Sequence, residues 1–243
     1  MGYKLRFSQY NASSVLVEWP PLIDENILND VLSFKNKIEK INIKCLVEVV
    51  TAYNSLLIIY NFTIDDINNV FKDLKALYLE KSIGLSKGSK VIKIPVCYDA
   101  DFGEDLMHFS KVKKISKSEL IELHTAPLYT VFFLGFLPGF LYLGGLNRAL
   151  HLNRKTTPNL NIKKGSVAIG GKQTGIYPQD SPGGWHIIGN SPIELFNPND
   201  NPPSFINAGD QVKFYAISKP EYVEIQAEIQ NSKFNIETLF VND

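Results

Sequence analysis

The segment GFLPGFLYLGG at residues 135–145 combines glycine and proline with large apolar rings, and it decides how the second half of the chain folds. Two segments of the same kind follow, GGKQTGIYP at residues 170–178 and PGGWHIIG at residues 182–189. Eleven of the 16 glycines lie between residues 135 and 189. Glycine at this density lets the backbone turn at positive φ or approach other groups closely. The segments therefore predict either the tight corners of a closed β-barrel or the wall of a small-molecule pocket.

The pattern around these segments predicts a mainly β domain over residues 91–217. Residues 91–98 are typical of a strand, and residues 103–109 and 116–124 of two short helices. From Tyr129 onward, short apolar runs separated by glycine, proline and asparagine indicate a barrel or sandwich. Residues 218–243 are predicted to form a C-terminal helix, which begins at Ser218-Lys-Pro-Glu, followed by a polar tail.

Residues 1–85 alternate strand and helix patterns and predict a small α+β domain. The predicted strands are residues 4–9, 14–19, 43–52 and 55–60, and the first predicted helix is residues 24–40. Thr63 is the expected N-cap of a second helix, since apolar residues follow it at spacings of three and four. Residues 82–90 have the composition of a linker. Nothing in this domain points to catalysis, which favours a role in packing or assembly.

Composition excludes several classes of function. The chain has 25 basic and 25 acidic residues and no basic stripe, so nucleic-acid binding is not expected. Glycine and proline interrupt the longest apolar stretch, residues 129–146, which argues against a membrane span. The N-terminus has no secretory pattern, and Cys45 and Cys97 lie in apolar runs that suggest buried thiols. We therefore expect a cytoplasmic protein.

His124 is the candidate catalytic residue. Imidazole titrates near neutral pH, so it can exchange a proton with a substrate or orient one. The position also suits a histidine at a helix C-terminus, where the helix dipole favours it. The residues alone leave both interpretations open.

Candidate substrate-binding residues lie in and between the glycine-rich segments. Gln173, Thr174 and Tyr177 are placed on one loop, where an amide and two hydroxyls can bind a lactam or a carboxylate. Trp185 is either a pocket wall or a core residue. Arg154 is the nearby cation for an anionic substrate. The first segment adds a further group of candidates: Phe136, Pro138, Gly139 and Tyr142.

Several expected signatures of an independent enzyme are missing from the sequence. Lys172 follows two glycines but lacks the spacing of a P-loop. There is no Gly-x-Ser-x-Gly elbow. The four histidines and two cysteines show no metal-ligand spacing, and no biotin site is recognisable.

These motifs, together with His124-Thr125, Tyr129, Pro202-Pro203 and AGDQVKF at residues 208–214, resemble the family that contains allophanate hydrolase subunit 1, the kinase inhibitor Kip and the B-type subunit of 5-oxoprolinase. The resemblance implies a cyclophilin-like barrel after a small α+β domain. It also implies an ATP-dependent opening of 5-oxo-L-proline to L-glutamate, performed with the C-type and A-type subunits of 5-oxoprolinase as partners. The alternatives within the family are inhibition of a sensor histidine kinase and an allophanate or urea-carboxylase type of activity. Because the chain lacks an ATP motif, it is expected to be inactive alone.

Two structural expectations follow. The segments at residues 135–145 and 170–178 should lie on one side of the barrel, in contact with Trp185, because their chemistry has to converge on one pocket. Gly183 and Gly184 are expected at positive φ, where valine is strained.

Overall fold

The computed structural model describes residues 2–41, 44–80 and 89–241, which divide into two compact units, Met1–Gly88 and Ser89–Asp243. Most of the predicted linker lies outside the described residues. Each unit has its own hydrophobic core. In the described part of the chain, no helix combines the length and the apolar character needed to cross a bilayer.

The first unit is a four-stranded antiparallel sheet with two helices. The sheet order is β1-β2-β4-β3. Alternate residues of β2 and β4, among them Val15 and Ile58, are fully buried with Ile27, Val31 and Phe34 of α1. This period-2 burial shows that the helices cover one sheet face. The elements are β1 Arg6–Asn11, β2 Ser14–Glu18, α1 Glu25–Lys40, β3 Leu46–Thr51, β4 Ser55–Tyr60 and α2 Ile67–Leu79.

Asp30 of α1 connects helix α2 with Trp19, the residue that follows β2. Its Oδ2 accepts hydrogen bonds from Trp19 Nε1 at 2.7 Å and from the Tyr78 hydroxyl at 2.6 Å. The Tyr78 ring also packs edge-on against Phe34, with ring centroids 5.2 Å apart. A polar anchor of this kind fixes the register of the two helices on the sheet.

Three details of the first unit differ from the sequence-based expectations. The N-cap of α2 is Asp66, whose side chain accepts from Asn69 N, whereas Ile64 just after the expected cap Thr63 is buried in the core. Strand β3 begins at Leu46, after a turn at residues 44–45; residue 43, where the predicted strand starts, lies outside the described residues. Cys45 therefore precedes the strand and is half-buried, while Cys97 is buried as expected; both are free thiols.

The second unit is built on a closed seven-stranded barrel with the order β10-β7-β6-β13-β5-β12-β9. The first and last of these strands in the chain, β5 and β13, pair in parallel over seven residues. The ranges are β5 Val91–Cys97, α3 Leu106–Lys113, α4 Lys117–Thr125, β6 Tyr129–Leu134, β7 Leu141–Gly144, β8 Asn159–Ile162, β9 Ser166–Gly170, β10 Gln173–Ile176, β11 Ser181–Gly183, β12 His186–Asn190, β13 Gln211–Ile217 and α5 Lys219–Gln230. Strands β8 and β11 form a separate two-stranded sheet.

One face of every barrel strand points into a common interior. This interior core contains residues from all seven strands, including Ile94, Val131, Leu143 and Ile169, each with no exposed surface. Residues between them face outward, as the alternation of a strand requires. The barrel therefore has a filled interior and an outer face on which a second cluster is built.

The C-terminal segment belongs to the same compact unit as the barrel. Helix α5 begins with a complete capping box between Ser218 and Glu221 and has Pro220 in its first turn. Beyond the helix, Phe240 bridges to Ile92, and Val241 N donates to Val91 O at 2.9 Å. The tail is thus paired with β5 up to Val241.

The α+β class, with a barrel domain following a small α+β domain, is confirmed. The first predicted helix of the barrel unit begins at Leu106, not at residue 103, because the backbone before it is bonded elsewhere: Gly103 N donates to Asp99 O and Asp105 N to Ile187 O of β12. The cyclophilin-like comparison stays a prediction.

Candidate functional site

A second hydrophobic cluster lies on the outer face of the barrel, over β7, β10, β9 and β12. It is separate from the interior core and is rich in aromatic rings. Strand alternation explains the separation, since Val167 and Ile169 of β9 face the interior while Ala168 between them belongs to the outer cluster. Its buried members are Phe140, Ile162, Ala168, Tyr177, Trp185 and Ile187.

Glycines in the strands make room for Trp185. A Cβ on Gly170 would lie 2.5 Å from the indole ring, and one on Gly175 would lie 3.1 Å from it and 2.7 Å from Leu141 O. The indole therefore lies flat against a strip of backbone that has no side chains. This close approach accounts for two glycines of the GGKQTGIYP segment.

The two glycine-rich segments meet, as predicted. The Phe140 ring makes edge contacts with Tyr177 and Trp185, at centroid distances of 5.1 and 5.5 Å. The Tyr142 ring lies 6.0 Å from Trp185. Strand β10 also pairs with β7 through Thr174 and Leu143. The expectation that both segments lie on one side of the barrel in contact with Trp185 is confirmed.

The turn between β6 and β7 presents an aromatic ring to solvent. Phe136 has a φ of +70°, a conformation rare for residues other than glycine, and 61% of its surface is exposed. Its ring lies 5.7 Å from that of Phe140. Pro138 is exposed, and Gly139, at φ +82°, is buried where a Cβ would be 2.5 Å from Phe196 Cβ. The turn holds Phe136 in a strained conformation beside the cluster.

Arg154 supplies positive charge at the edge of the cluster. Its guanidinium carbon lies 5.6 Å from the centre of the Trp185 ring, in cation–π range. The side chain is exposed, and none of the ion pairs in the described ranges involves it. Arg154 can therefore offer its planar donor group to a carboxylate or a phosphate.

Two phenols at this cluster stay protonated at neutral pH. Burial raises the pKa of Tyr177 to about 12, against smaller lowering effects of a backbone hydrogen bond from Trp185 and of the Arg154 charge. Burial also raises the pKa of Tyr142, and Arg154 again opposes the shift. Protonated phenols can donate hydrogen bonds to an oxygen of a ligand. The face thus combines apolar rings, phenol donors and one cation.

His124 and Thr174 lie elsewhere, on the interior side of the barrel wall. His124 has no exposed surface, and its ring stacks on Phe214 with centroids 4.8 Å apart. Thr174 Oγ1 donates to Ala168 O at 3.0 Å, so it accepts from His124 Nε2 at 2.8 Å. This leaves His124 Nδ1 to accept from the Tyr98 hydroxyl at 2.7 Å. We assign the Nε2-protonated tautomer on this network.

Both His124 nitrogens are therefore occupied inside the protein. Burial lowers the pKa of His124 from 6.5 to about 3, so the ring is neutral at physiological pH. The Tyr129 hydroxyl also donates to the His124 carbonyl at 2.7 Å. The geometry suits a residue that holds helix α4 to strand β10. The catalytic role of His124 stays a prediction, since both ring nitrogens bond to protein groups and the ring has no exposed surface.

The placement of Gln173, Thr174 and Tyr177 on one loop was wrong. Residues 173–176 form strand β10, which pairs with β9, so neighbouring side chains point to opposite faces. Thr174 faces the interior, whereas Tyr177, just after the strand, belongs to the outer cluster. Gln173 begins the strand and is half-buried. Dense glycine suggested a loop because it disfavours strands in general, but here it admits the indole of Trp185.

The expected reason for Gly183 and Gly184 was also wrong. Neither residue is among those at positive φ. A Cβ on Gly183 would lie 2.2 Å from the Tyr177 hydroxyl, whereas one on Gly184 would meet only ordinary contacts at 3.5 Å and beyond. Packing against Tyr177 requires glycine at position 183, whereas position 184 has room for a Cβ.

Three residues that sequence reasoning did not assign to the site surround Arg154. Lys155 Nζ lies 2.6 Å from Asp105 Oδ2. His186 donates from Nε2 to Asn153 O at 2.9 Å. No local signal could identify this group, because its members come from three separate stretches of chain. Over the described ranges, no group of three or more His, Cys, Asp or Glu residues could hold a metal ion.

Comparison with known proteins identifies the class. The family model of the carboxyltransferase domain, subdomains C and D, matches residues 5–206, and the chain belongs to this family. Within it, the chain is 34% identical over 232 residues to the B-type subunit of 5-oxoprolinase from Bacillus subtilis (strain 168). The match covers 91% of this chain and 97% of that protein.

Solved structures agree with the fold. The crystal structure of TTHA0988 superimposes with a TM-score of 0.74 and 31% identity over 85% of this chain, which spans only 40% of the longer TTHA0988 chain. Urea carboxylase of Kluyveromyces lactis superimposes over 96% of this chain and 23% of its own, with a TM-score of 0.77. At 22% identity, that likeness shows the fold alone.

Proposed function

We propose that the chain acts as the B-type subunit of a bacterial ATP-dependent 5-oxoprolinase, which opens 5-oxo-L-proline to L-glutamate together with a C-type subunit. The observation that supports this most is the match across 97% of the length of the B-type subunit of the Bacillus subtilis enzyme. Because the match is nearly end to end, it includes both the α+β unit and the barrel. The reaction consumes ATP, and we place the complex in the cytoplasm.

The outer aromatic face supplies groups that suit this substrate. The guanidinium of Arg154 is a partner for the carboxylate of 5-oxoproline, and its fork matches the two oxygens. The protonated phenol of the half-buried Tyr142 is the donor for the lactam oxygen, and the buried Tyr177 supports the aromatic face from beneath. The apolar edge of the five-membered ring fits against Trp185 and the exposed ring of Phe136. We propose these residues as the substrate-binding set, with Pro138 and Gly139 shaping the turn.

The chemistry requires activation of a stable amide. ATP transfers its γ-phosphoryl group to the lactam oxygen, and ADP is released. One water then adds to the ring carbon and the carbon–nitrogen bond breaks, which leaves a γ-glutamyl phosphate; a second water releases phosphate from it and gives L-glutamate. Donors aimed at the lactam oxygen stabilise the charge that develops there. His124 has both nitrogens bonded, so we propose that the proton-transfer groups and the nucleotide site come largely from the C-type partner. This chain binds and orients the lactam.

The test is reconstitution with a homologue of the C-type partner. The chain, this partner and their mixture, with and without the A-type partner, are assayed for ATP-dependent release of glutamate from 5-oxoproline. We expect no turnover by the chain alone and turnover by the mixture that depends on ATP. Turnover by the chain alone would contradict the need for a partner.

A complementary assay separates the enzyme from a regulatory protein. The chain is titrated into a sensor histidine kinase from the same cell while autophosphorylation is followed. Inhibition of the kinase, combined with no glutamate release in any mixture, would overturn the enzymatic proposal in favour of kinase inhibition. Release of glutamate with no effect on the kinase supports the enzyme.

A further inference from the structure

Arg154 lies in a segment without regular structure, yet the backbone on both sides of it is fixed. The carbonyl of Asn153 accepts from the ring of His186 at 2.9 Å. On the other side, Lys155 N donates to Gly184 O at 2.7 Å. His186 and Gly184 immediately flank Trp185 in the sequence. The two hydrogen bonds therefore hold Arg154 against the residue on which its guanidinium lies.

A shielded ion pair fastens the same segment to helix α3. Lys155 Nζ lies 2.6 Å from Asp105 Oδ2, and the two side chains are 21% and 16% exposed. The other ion pairs in the described ranges are more exposed, such as Lys163 with Asp180 at 72% and 59%. Lower exposure means less solvent screening, so this pair constrains its segment more than the surface pairs do.

Asp105 is itself held in place by β12. Its Oδ2 accepts from Ile187 N at 2.7 Å, and its own N donates to Ile187 O at 2.9 Å. Asp105, Lys155 and His186 thus attach the Arg154 segment to β12 directly before and after Trp185. The ion pair therefore joins the flexible side chain of Lys155 to the Asp105 carboxylate, which β12 already holds in place.

We propose that Asp105, Lys155 and His186 are positioning residues that fix the Arg154 guanidinium over Trp185 as the carboxylate-binding group of the site. The assignment of the carboxylate to 5-oxoproline rests on the proposed function. The positioning itself does not, because the hydrogen bonds and the ion pair join residues of this chain to one another. Arg154 needs such support because an exposed arginine otherwise loses considerable rotamer freedom on binding an anion.

The first measurement needs no substrate. In a Trp19→Phe background, Trp185 is the sole indole of the full chain. Its fluorescence emission and its quenching by acrylamide then report on whether the Arg154 guanidinium lies over the ring. We expect Lys155→Met and Asp105→Asn to change both signals in the direction of Arg154→Met. Asparagine keeps an acceptor for Ile187 N, and Lys155→Arg should restore the wild-type signal. Lys163→Met, which removes an exposed ion pair, is the matched control and should change nothing.

The second measurement uses the reconstituted complex. We expect Lys155→Met and Asp105→Asn to raise KM for 5-oxoproline about tenfold with kcat within about twofold, and the double variant to add little, because both remove the same ion pair. Binding of 2-pyrrolidinone, which lacks the carboxylate, should be the same in all variants. A merely structural role would lower thermal stability and leave the preference for the carboxylate intact.

The outcomes of the two proposals are distinguishable. Absence of turnover by the wild-type complex contradicts the proposed function. The Trp185 fluorescence still tests the positioning inference, because that measurement needs no activity. If Lys155→Met and Asp105→Asn leave the Trp185 emission and quenching at wild-type values, the positioning inference is overturned whether or not the complex is active. A well-folded Lys155→Met variant with unchanged KM also overturns it.

Discussion

At the scale of single residues, His124 is the clearest case in which burial determines chemistry. The ring is neutral, fully buried and bonded at both nitrogens to Tyr98 and Thr174. Protonation would place a positive charge in the barrel interior and turn the acceptor Nδ1 into a donor. The interior offers no compensation for this charge, so the pKa falls to about 3.

This shift makes stability depend on pH. The folded-state pKa of His124 is lower than its unfolded value of 6.5, so its contribution is fully present above pH 6.5 and is lost as pH falls toward 3. The expected loss is about 1.4 kcal/mol per pH unit in this window, or about 2 kcal/mol at pH 5. Urea unfolding at pH 7 and pH 5 measures it. His124→Gln should flatten the dependence, whereas His108→Gln, at an exposed position, should keep it. Equal slopes in both variants would contradict the buried neutral imidazole.

Gly183 and Gly184 are neighbours with opposite tolerance to a side chain. A Cβ on Gly183 collides with the buried Tyr177 hydroxyl at 2.2 Å, and the aromatic cluster prevents that ring from moving. Gly183→Ala should cost about 2 kcal/mol of the free energy of unfolding, and Gly184→Ala about 0.5 kcal/mol or less. Chemical denaturation of the wild-type protein and the two variants measures these losses. Similar losses at both positions would show that backbone conformation, not contact with Tyr177, requires glycine here.

At the scale of elements, sequence patterns located those with strong local signals. Strands β3 and β4 were anticipated from two strand patterns separated by two residues, and helix α5 from Ser218 with Pro220. The N-cap of α2 was misplaced because Asp66 and Thr63 are both acceptable caps, and only the burial of Ile64 selects between them.

Strand β10 shows why three of the ten candidate residues, Gln173, Thr174 and Tyr177, were assigned to a loop. Its sequence, QTGI, reads as a turn because it contains glycine and no β-branched apolar pair. The strand is specified by its neighbours β9 and β7 and by the indole that covers Gly175. Tertiary contacts overrode local preference. The aromatic members of the site were recoverable from sequence, but the face that each one occupies was not.

At the scale of the whole molecule, the two compact units have separate hydrophobic cores. A domain of about 150 residues is large enough to bury a stable core by itself. We therefore expect a fragment comprising residues 89–243 to fold without the first unit and to melt in one cooperative transition. Circular dichroism melting and two-dimensional NMR of the fragment check this. Broad melting together with binding of a hydrophobic dye would contradict it.

The parallel pairing of β5 with β13 has a consequence for synthesis on the ribosome. Strand β5 has seven register partners in β13 and one in β12, so its main partner is translated after all the other strands of the barrel. The apolar residues Ile92, Ile94 and Val96 consequently emerge as an unpaired strand and stay so while every intervening element is made. Closing so long a stretch of chain carries a large entropic cost, which slows folding. Barrel closure therefore waits until β13 has left the ribosome, and until then β5 exposes apolar residues to which chaperones bind.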